Sequence, residues 1–182
     1  MASRSRATLE IEMDAQRLLC SSLLAKLHEQ MERTGHLIQL LPTDRLDWMP
    51  AIPGAWPAGM LLGHLLECLA GLCAVLVAAE PRRLAHFGEL RELPVNRSCS
   101  PEQALSQVDI YRAHIDEGFA LLKDSDLGRP VATVFVEQGE CLLTLLLGNL
   151  EHLINHKHQL FTYLKLLGAE VSTSDLYRFH GE

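Results

Sequence analysis

Residues 60–79 read MLLGHLLECLAGLCAVLVAA, and this stretch decides the class of fold. Its 20 residues are about the number that crosses a bilayer as a helix. The stretch contains His64 and Glu67, however, and a carboxylate at the centre of a membrane costs roughly 2.5–3.5 kcal/mol. The uninterrupted apolar run, residues 69–79, is only 11 residues long. We therefore predict the core helix of a soluble bundle and no membrane span.

The remaining sequence predicts three further helices around this one. Apolar periodicity, capping signals, and Gly and Pro stops place the four helices over residues 7–39, 57–80, 100–123 and 140–167. Ser100 and Gln103 form a capping-box pattern, which predicts the start of the third helix. Residues 131–136 are the one segment rich in β-branched residues. The sequence offers no partner strand for this segment, so we expect an extended lead-in to the last helix. We predict an all-α fold, a four-helix bundle with long irregular connections, and a single domain over residues 1–182.

The composition excludes several function classes. The chain has 16 Lys and Arg against 23 Asp and Glu, and its formal net charge is −7 at pH 7. Such a surface repels a phosphate backbone, so we expect no nucleic-acid partner. The 5 cysteines contain no CxxC pair, and residues 1–16 lack the apolar core of a secretory signal. We expect a cytoplasmic protein whose thiols are free and mostly buried.

Three of the 9 histidines are placed where they could carry chemistry. His152 and His156 are four residues apart on the last helix, which puts both imidazoles on one face, one turn apart. That spacing suits two ligands of one metal ion. The stripe they share is otherwise mostly apolar, so we expect both to point into the bundle. His64 lies on the apolar second helix and could complete a three-nitrogen site, with Glu67 three residues later on the same side.

A structural interpretation of these histidines stays open. Core imidazoles are often satisfied by hydrogen bonds, and Asn149, Tyr163 and Glu67 are the candidate partners. In that case no metal binds, and His152 and His156 form a buried hydrogen-bonded pair. The remaining histidines lie in polar or terminal contexts or, for His158, point away from the paired face.

Other metal and nucleophile chemistries lack their motifs. The zincin motif HExxH is absent, because Leu153 follows His152. Paired Glu-x-x-His motifs of a di-iron bundle, a nucleophile elbow and a P-loop are absent as well. Cys68 is next to Glu67, whose charge should raise the pKa of the thiol, so Cys68 is a poor nucleophile.

Two segments resemble the DinB-like superfamily, which includes the YfiT-like metal-dependent enzymes. Residues 44–67 carry DRLDWMP, then PGAWP, then LGHLLE with a single His. Residues 151–168 carry EHLINHKHQ followed by YLKLLG, which is similar to the family's H-x-x-x-H, a basic residue and Gln. The chain departs from the family at His158, where Gly commonly precedes the Gln, and at Asn155, where many relatives have another His.

The resemblance implies a site and a range of reactions. His64, His152 and His156 would bind a divalent metal at one end of the bundle, with zinc first and nickel or iron as alternatives. Known activities of such proteins include thiol-dependent transfer and isomerisation, which implies a small-molecule substrate and a low-molecular-weight thiol. We therefore expect a metal-dependent S-transferase or hydrolase in which Glu67 orients a ligand or accepts a proton. The alternative is a non-catalytic metal- or partner-binding bundle, and in either case we expect a homodimer.

The two tryptophans flank the connection before the second helix. Trp48 and Trp56 could line a substrate entrance, or they could pack this connection onto the bundle. The sequence leaves these two interpretations open.

Overall fold

A computed structural model describes residues 16–134 and 136–177 and contains four long helices. They are α1 (Leu18–Gln39), α2 (Ala58–Ala79), α3 (Pro101–Ala120) and α4 (Leu142–Leu166). In their main contacts, α1 and α2 each pack against both α3 and α4, so α1 and α2 lie diagonally across a four-helix bundle. The predicted all-α bundle is confirmed.

Helix α2 lies in the core of the bundle. Its length and composition alone would allow it to cross a membrane, and no other helix in the described ranges meets that test. Leu61, Leu65, Leu69 and Leu72 are each at most 1% exposed and belong to one apolar cluster shared with the other helices. The leucine-rich face of α2 is therefore covered by protein, as the sequence predicts for a core helix.

The N-terminus of α1 is capped from a distant part of the chain. Gln16 and Arg17 form a turn, and the helix begins at Leu18, so the prediction of a helix that continues through these two residues is wrong. The predicted part before residue 16 lies outside the described residues. The carboxylate of Asp124 accepts hydrogen bonds from the backbone N–H groups of Leu19 (3.0 Å) and Cys20 (2.9 Å). An acceptor supplied from the loop after α3 leaves no local signal in the sequence of α1.

Helix α3 begins as predicted and ends early. Ser100 and Gln103 form both hydrogen bonds of the capping box, at 3.2 and 2.9 Å. The helix ends at Ala120, three residues before the predicted end at Lys123. Four short 3-10 helices lie in the connections and the tail: Thr43–Arg45, Ala85–Glu92, Asp124–Asp126 and Thr173–Asp175.

A small antiparallel hairpin precedes α4. Strand β1 (Pro130–Val131) pairs with β2 (Glu140–Cys141), with Pro130 opposite Cys141 and Val131 opposite Glu140. Of the run 131–136, predicted as an extended lead-in, only Val131 joins a strand, and the prediction is wrong at that residue. The chain turns back through Gly139, whose φ of +86° suits glycine. The hairpin delivers the chain to the first residue of α4.

The most buried face of α4 is not the one that carries the paired histidines. It runs through Leu146, Leu150, Leu153, Lys157 and Leu160, while His152 and His156 are half-buried at the edge facing α2. Both histidines point toward α2, which is the bundle side that the sequence predicts, but they lie at its edge and not in its core. Residues that are adjacent in sequence lie about 100° apart around a helix. Leu153 and Lys157, which follow His152 and His156 in sequence, therefore face the centre of the bundle instead.

Lys157 lies inside this core face and is only 2% exposed. Its Nζ donates hydrogen bonds to Oε1 of Gln30 on α1 and, at 2.5 Å, to the carbonyl oxygen of Leu176 in the tail. Burial lowers the pKa of the Lys157 ammonium to about 8. The side chain thus joins α4, α1 and the C-terminal segment at one buried point.

Candidate metal centre

Three imidazoles meet between α2 and α4. The Nε2 atom of His64 lies 3.2 Å from Nε2 of His152 and 3.0 Å from Nε2 of His156. All three ligand atoms lie within 4.8 Å of one another. The structure therefore brings together the three residues that the sequence singled out, which we call the triad.

The local structure around His64 depends on close backbone packing. The segment 94–99 crosses α2 at Gly63, where an added Cβ would lie 2.0 Å from the carbonyl oxygen of Arg97. The backbone N–H of Asn96 donates to the carbonyl oxygen of Gly63 at 3.0 Å. A glycine directly before His64 thus lets this segment approach the helix closely enough to reach the imidazole.

His64 is held through its other ring nitrogen. Its Nδ1 lies 2.8 Å from Oδ1 of Asn96 and 3.0 Å from Oε2 of Glu67. Both oxygens are acceptors, so Nδ1 carries a hydrogen and Nε2 is the ring nitrogen that faces the triad. Glu67 therefore lies within hydrogen-bond distance of His64, and its role as an orienting residue stays a prediction.

A chain of hydrogen bonds holds His156. Its Nδ1 lies 3.0 Å from Oε1 of Gln159, and Nε2 of Gln159 donates to the hydroxyl of Tyr163 at 3.3 Å. The Tyr163 hydroxyl in turn donates to the carbonyl oxygen of Trp56 at 3.0 Å. This chain directs the Nε2 lone pair of His156 to the triad as well.

The surroundings of the triad disfavour protonation of His152 and His156. Burial is the main cause that lowers the pKa of His152, and the neighbouring His64 imidazole adds to it. Burial also lowers the pKa of His156, although the Gln159 hydrogen bond opposes the shift. Neutral imidazoles whose lone pairs converge at about 3 Å repel one another, and a shared cation or proton relieves that repulsion.

The two tryptophans pack around the site in different ways. The Trp56 ring meets His64 edge-on at 4.6 Å between centroids and stacks on His156 at 5.9 Å. Trp48 contacts Tyr163 edge-on at 5.4 Å. Trp56 is 39% exposed, so it covers one side of the triad while keeping contact with solvent.

Some of the expected partners are elsewhere, and Asn96 was missed. The Nδ2 of Asn149 donates to the carbonyl oxygen of Leu145 rather than to a histidine. Asn96 lies in a loop far along the chain from His64, and its positive φ of 53° is the local feature that suits Asn. Its role depends on a tertiary contact that no pattern in the sequence shows.

The other described histidines lie outside the triad. His158 is exposed, as expected from its position on α4. Four others pair with a carboxylate on another element: His28 with Asp116, His36 with Asp175, His86 with Glu117, and His114 with Glu89. His180 lies outside the described residues.

The cysteines are free thiols, and three of the five are buried. Burial raises the pKa of Cys68 to about 12, and the charge of Glu67 adds to the shift. The thiol nearest the triad in sequence is therefore protonated at neutral pH and is a poor nucleophile, as predicted.

Comparison with known proteins agrees with this architecture. A DinB-like protein from Bacillus subtilis, solved at 2.30 Å, superposes with a TM-score of 0.63 at 18% identity, over 87% of this chain and 97% of that one. A proposed DinB family member from Exiguobacterium sibiricum, solved at 1.70 Å, gives 0.54 at 22% identity with the same coverage. No curated protein matches the chain. The family model of the DinB superfamily matches residues 26–160, and the chain therefore belongs to the DinB superfamily.

Proposed function

We propose that this protein binds one divalent metal ion through His64, His152 and His156 and uses it in a hydrolytic or thiol-transfer reaction. The observation that carries the proposal is the convergence of the Nε2 atoms of three imidazoles. In two of these imidazoles, His64 and His156, the Nδ1 atom is hydrogen-bonded to an acceptor from a side chain. In metal-ligating histidines, the N–H of the second ring nitrogen characteristically donates a hydrogen bond to a carboxylate or carbonyl oxygen in this way. Three imidazole ligands suit zinc, and also nickel or iron.

The donor set suits a catalytic metal better than a purely structural one. Structural zinc sites generally have four protein ligands, whereas catalytic sites have three and leave a position for water or substrate. A divalent ion held here would lower the pKa of water or of a small thiol, so that the nucleophile forms at neutral pH. Among the described residues, the triad is the only cluster of three His, Cys, Asp or Glu ligands.

The chain's own side chains would position the reaction. Asn96 and Glu67 hold His64 in one orientation, and Gln159 does the same for His156. Glu67 is 41% exposed, so its carboxylate is bonded to His64 and accessible to solvent. We assign it the role of orienting His64 and of accepting a proton from the incoming nucleophile.

Metal content per chain is the first test. Protein reconstituted with zinc, nickel or iron and then desalted should retain about one ion per chain. The variants His64→Ala and His152→Ala should lose it, while His158→Ala should keep it, since His158 is an exposed histidine on the same helix. Wild-type protein that remains folded but retains no metal would overturn the proposal and leave the triad as a hydrogen-bonded cluster.

A non-catalytic metal-binding bundle is the second candidate. Cys68 is protonated, and Glu67 is bonded to His64, so these two neighbours of the triad offer no free protein nucleophile. A reaction therefore requires an external thiol or water. Metal-loaded protein should accelerate thiol consumption by a small electrophile or hydrolysis of an activated ester, and loss of metal in His152→Ala should abolish the acceleration. Full metal occupancy without either activity would favour the non-catalytic bundle.

Two further parts of the proposal rest on the sequence alone. We propose a homodimer, which light scattering of the purified protein tests. We also propose a cytoplasmic location, which fractionation of the cells that produce the protein tests.

A further inference from the structure

A large cavity lies along the groove between α2 and α4, about one to two helical turns from the triad, and no triad residue lines it. Its volume is about 1020 Å³, several times that of a small organic molecule. Its walls are α2, the 3-10 helix Ala85–Glu92, residues 132–134 and 136–137 of the hairpin loop, and the first half of α4. We call this cavity the α2 pocket.

We propose that the α2 pocket binds the apolar body of an uncharged, elongated substrate whose reactive end lies at the triad. This inference rests on the proposed function in one respect, since it takes the bound molecule to be the substrate. The binding itself is a separate claim and is tested without metal.

The lining of the pocket selects against charged molecules. Most of its walls are aliphatic or small side chains, represented by Ala74, Val77 and Leu145. Arg91 and Glu137 are the only charged residues among the described ones that line it. The two charges sum to zero, so the lining offers no net charge to hold an anion or a cation, whereas burial of an alkyl or aryl group contributes roughly 25 cal/mol per Å².

The wall of the pocket also holds an unpartnered hydroxyl. Tyr111 on α3 is 0% exposed, and its hydroxyl has no hydrogen-bond partner in the described part of the chain. A buried hydroxyl without a partner costs about 1–3 kcal/mol, and native proteins rarely leave one so. Burial raises the pKa of Tyr111 to about 12, so the hydroxyl is a donor. Tyr111 lines the pocket, so a carbonyl or ether oxygen that reaches this part of the wall would accept its hydrogen bond.

The pocket and the triad share one face of each of two helices. On α4, Asn149 lines the pocket and lies one turn before His152. On α2, Gly71 lines the pocket seven residues after His64, which is about 10 Å along the helix axis. A molecule that fills the pocket therefore needs to extend only about one to two helical turns to reach the triad.

Asn149 and Gly71 mark the junction between the pocket and the site. A Cβ added at Gly71 would lie 2.4 Å from Oδ1 of Asn149, so the two helices approach closely at this point. The amide of Asn149 donates to its own helix, at Leu145, and its oxygen faces α2. The pocket side of this junction suits the apolar body of a bound molecule. The triad side suits a reactive polar group.

The test uses the neutral fluorescent ketone 6-propionyl-2-dimethylaminonaphthalene with the full chain stripped of metal. Its aromatic body suits the lining and its carbonyl oxygen suits the Tyr111 hydroxyl. Wild-type protein should bind the dye saturably and shift its emission to the blue. Absence of saturable binding up to the solubility limit of the dye would overturn the proposal.

Variants identify where the dye binds. Ala74→Phe fills the pocket from an exposed position and should weaken binding at least tenfold, whereas the control Ala113→Phe adds the same side chain at an exposed site on α3 outside the lining. Tyr111→Phe removes only the hydroxyl and should weaken binding roughly threefold to tenfold, with folding checked by thermal melting. Equal dye affinity in Ala74→Phe and Ala113→Phe would show that the dye binds elsewhere and would refute the pocket.

One further variant separates this inference from the proposed function. His152→Ala should lose metal and keep dye affinity within about twofold, because His152 does not line the pocket. Dye binding without metal in the wild type would sustain the pocket while the metal proposal fails. Metal binding without dye binding would have the opposite meaning.

Discussion

Replacing Gly63 by alanine should destabilise the fold and weaken the candidate metal centre together. The added Cβ would lie 2.0 Å from the carbonyl oxygen of Arg97 and 2.8 Å from both its carbonyl carbon and its nitrogen. These atoms belong to backbone, so no side-chain rotation relieves the overlap. The segment that carries Asn96 has to move away from α2 by more than an ångström to restore ordinary contact.

The magnitude follows from three opposing contributions. Alanine in place of glycine favours the helix by about 1 kcal/mol. The overlap costs about 1–3 kcal/mol, and loss of the Asn96 N–H to Gly63 hydrogen bond adds about 1 kcal/mol. We expect a net loss of about 1–3 kcal/mol, which corresponds to a fall in Tm of roughly 2–12 °C for a chain of this size.

The metal centre reports whether the displaced segment is the cause. When Asn96 moves, the Nδ1 of His64 loses one of its two acceptors and keeps Glu67. Metal affinity should fall by about tenfold, the lower end of the usual effect of losing an orienting partner. Competition with a chromophoric chelator measures the affinity, and urea denaturation of the metal-free protein measures the stability.

Gly148→Ala is the matched control for this substitution. Gly148 also lies within a helix, and an added Cβ there meets nothing within 4 Å. That variant should be stabilised by about 0.5–1 kcal/mol and should bind metal as the wild type does. If Gly63→Ala is as stable as Gly148→Ala, the close approach of segment 94–99 does not constrain the fold, and the reasoning is refuted.

Three further predictions test the surroundings of the site and the caps of the bundle. Gln159→Leu should reduce metal affinity by about 10- to 100-fold in the same chelator competition, because the Nδ1–H of His156 loses its acceptor. Asp124→Asn should be less stable than wild type at neutral pH, and the difference should vanish in acid. Although desolvation raises the pKa of Asp124, the N–H groups of Cys20 and Leu19 outweigh it and hold that pKa below its ordinary value. The charge of Asp124 therefore stabilises the fold above about pH 3.9, and this stabilisation is lost as the pH falls through the lowered pKa. Lys157→Ala should lose about 2–4 kcal/mol in urea denaturation, since it leaves a cavity and two unpaired buried acceptors.

Each of these predictions has an outcome that would contradict it. Unchanged metal affinity in Gln159→Leu would show that His156 needs no acceptor at Nδ1. A stability difference for Asp124→Asn that persists unchanged well below pH 3 would assign it to packing rather than charge. Lys165→Ala is the control for the buried lysine, because Lys165 is exposed with its ammonium 4.7 Å from the Phe161 ring. Lys165→Ala should lower the free energy of unfolding by at most about 1 kcal/mol. An equal loss in both lysine variants would show that the buried hydrogen bonds of Lys157 do not stabilise the fold.

Several structural features could be predicted because their causes are local. The four helices follow from apolar periodicity, and the Ser100 capping box follows from a four-residue pattern that the structure reproduces atom by atom. The pairing of His152 and His156 is also local, since residues four apart on a helix always share a face. His64 was singled out as an unusual polar residue on an apolar helix, and the packing of α2 against α4 brings it to the pair.

The errors in prediction have one physical origin. The face of α4 that is most buried, the cap of α1 by Asp124, and the pairing of β1 with β2 each depend on what another segment presents. Lys157 is the clearest case, because a lysine is ordinarily exposed. Here it is buried by acceptors on α1 and in the tail. Such partners are far apart in the chain and leave no periodic pattern.

The sequence by itself determined the helices, the kind of bundle and the pairing of His152 with His156, because hydrophobic period and residue spacing act within one element. Tertiary structure decided which ring nitrogen each of His64 and His156 presents, because Asn96 and the Gln159–Tyr163 chain reach them only after the helices pack. It also decided that the triad lies at the edge of the bundle, and that a large apolar cavity opens farther along the same pair of helices. Hydrogen bonds and close approaches between distant segments fix those features, and they exist only in the folded chain.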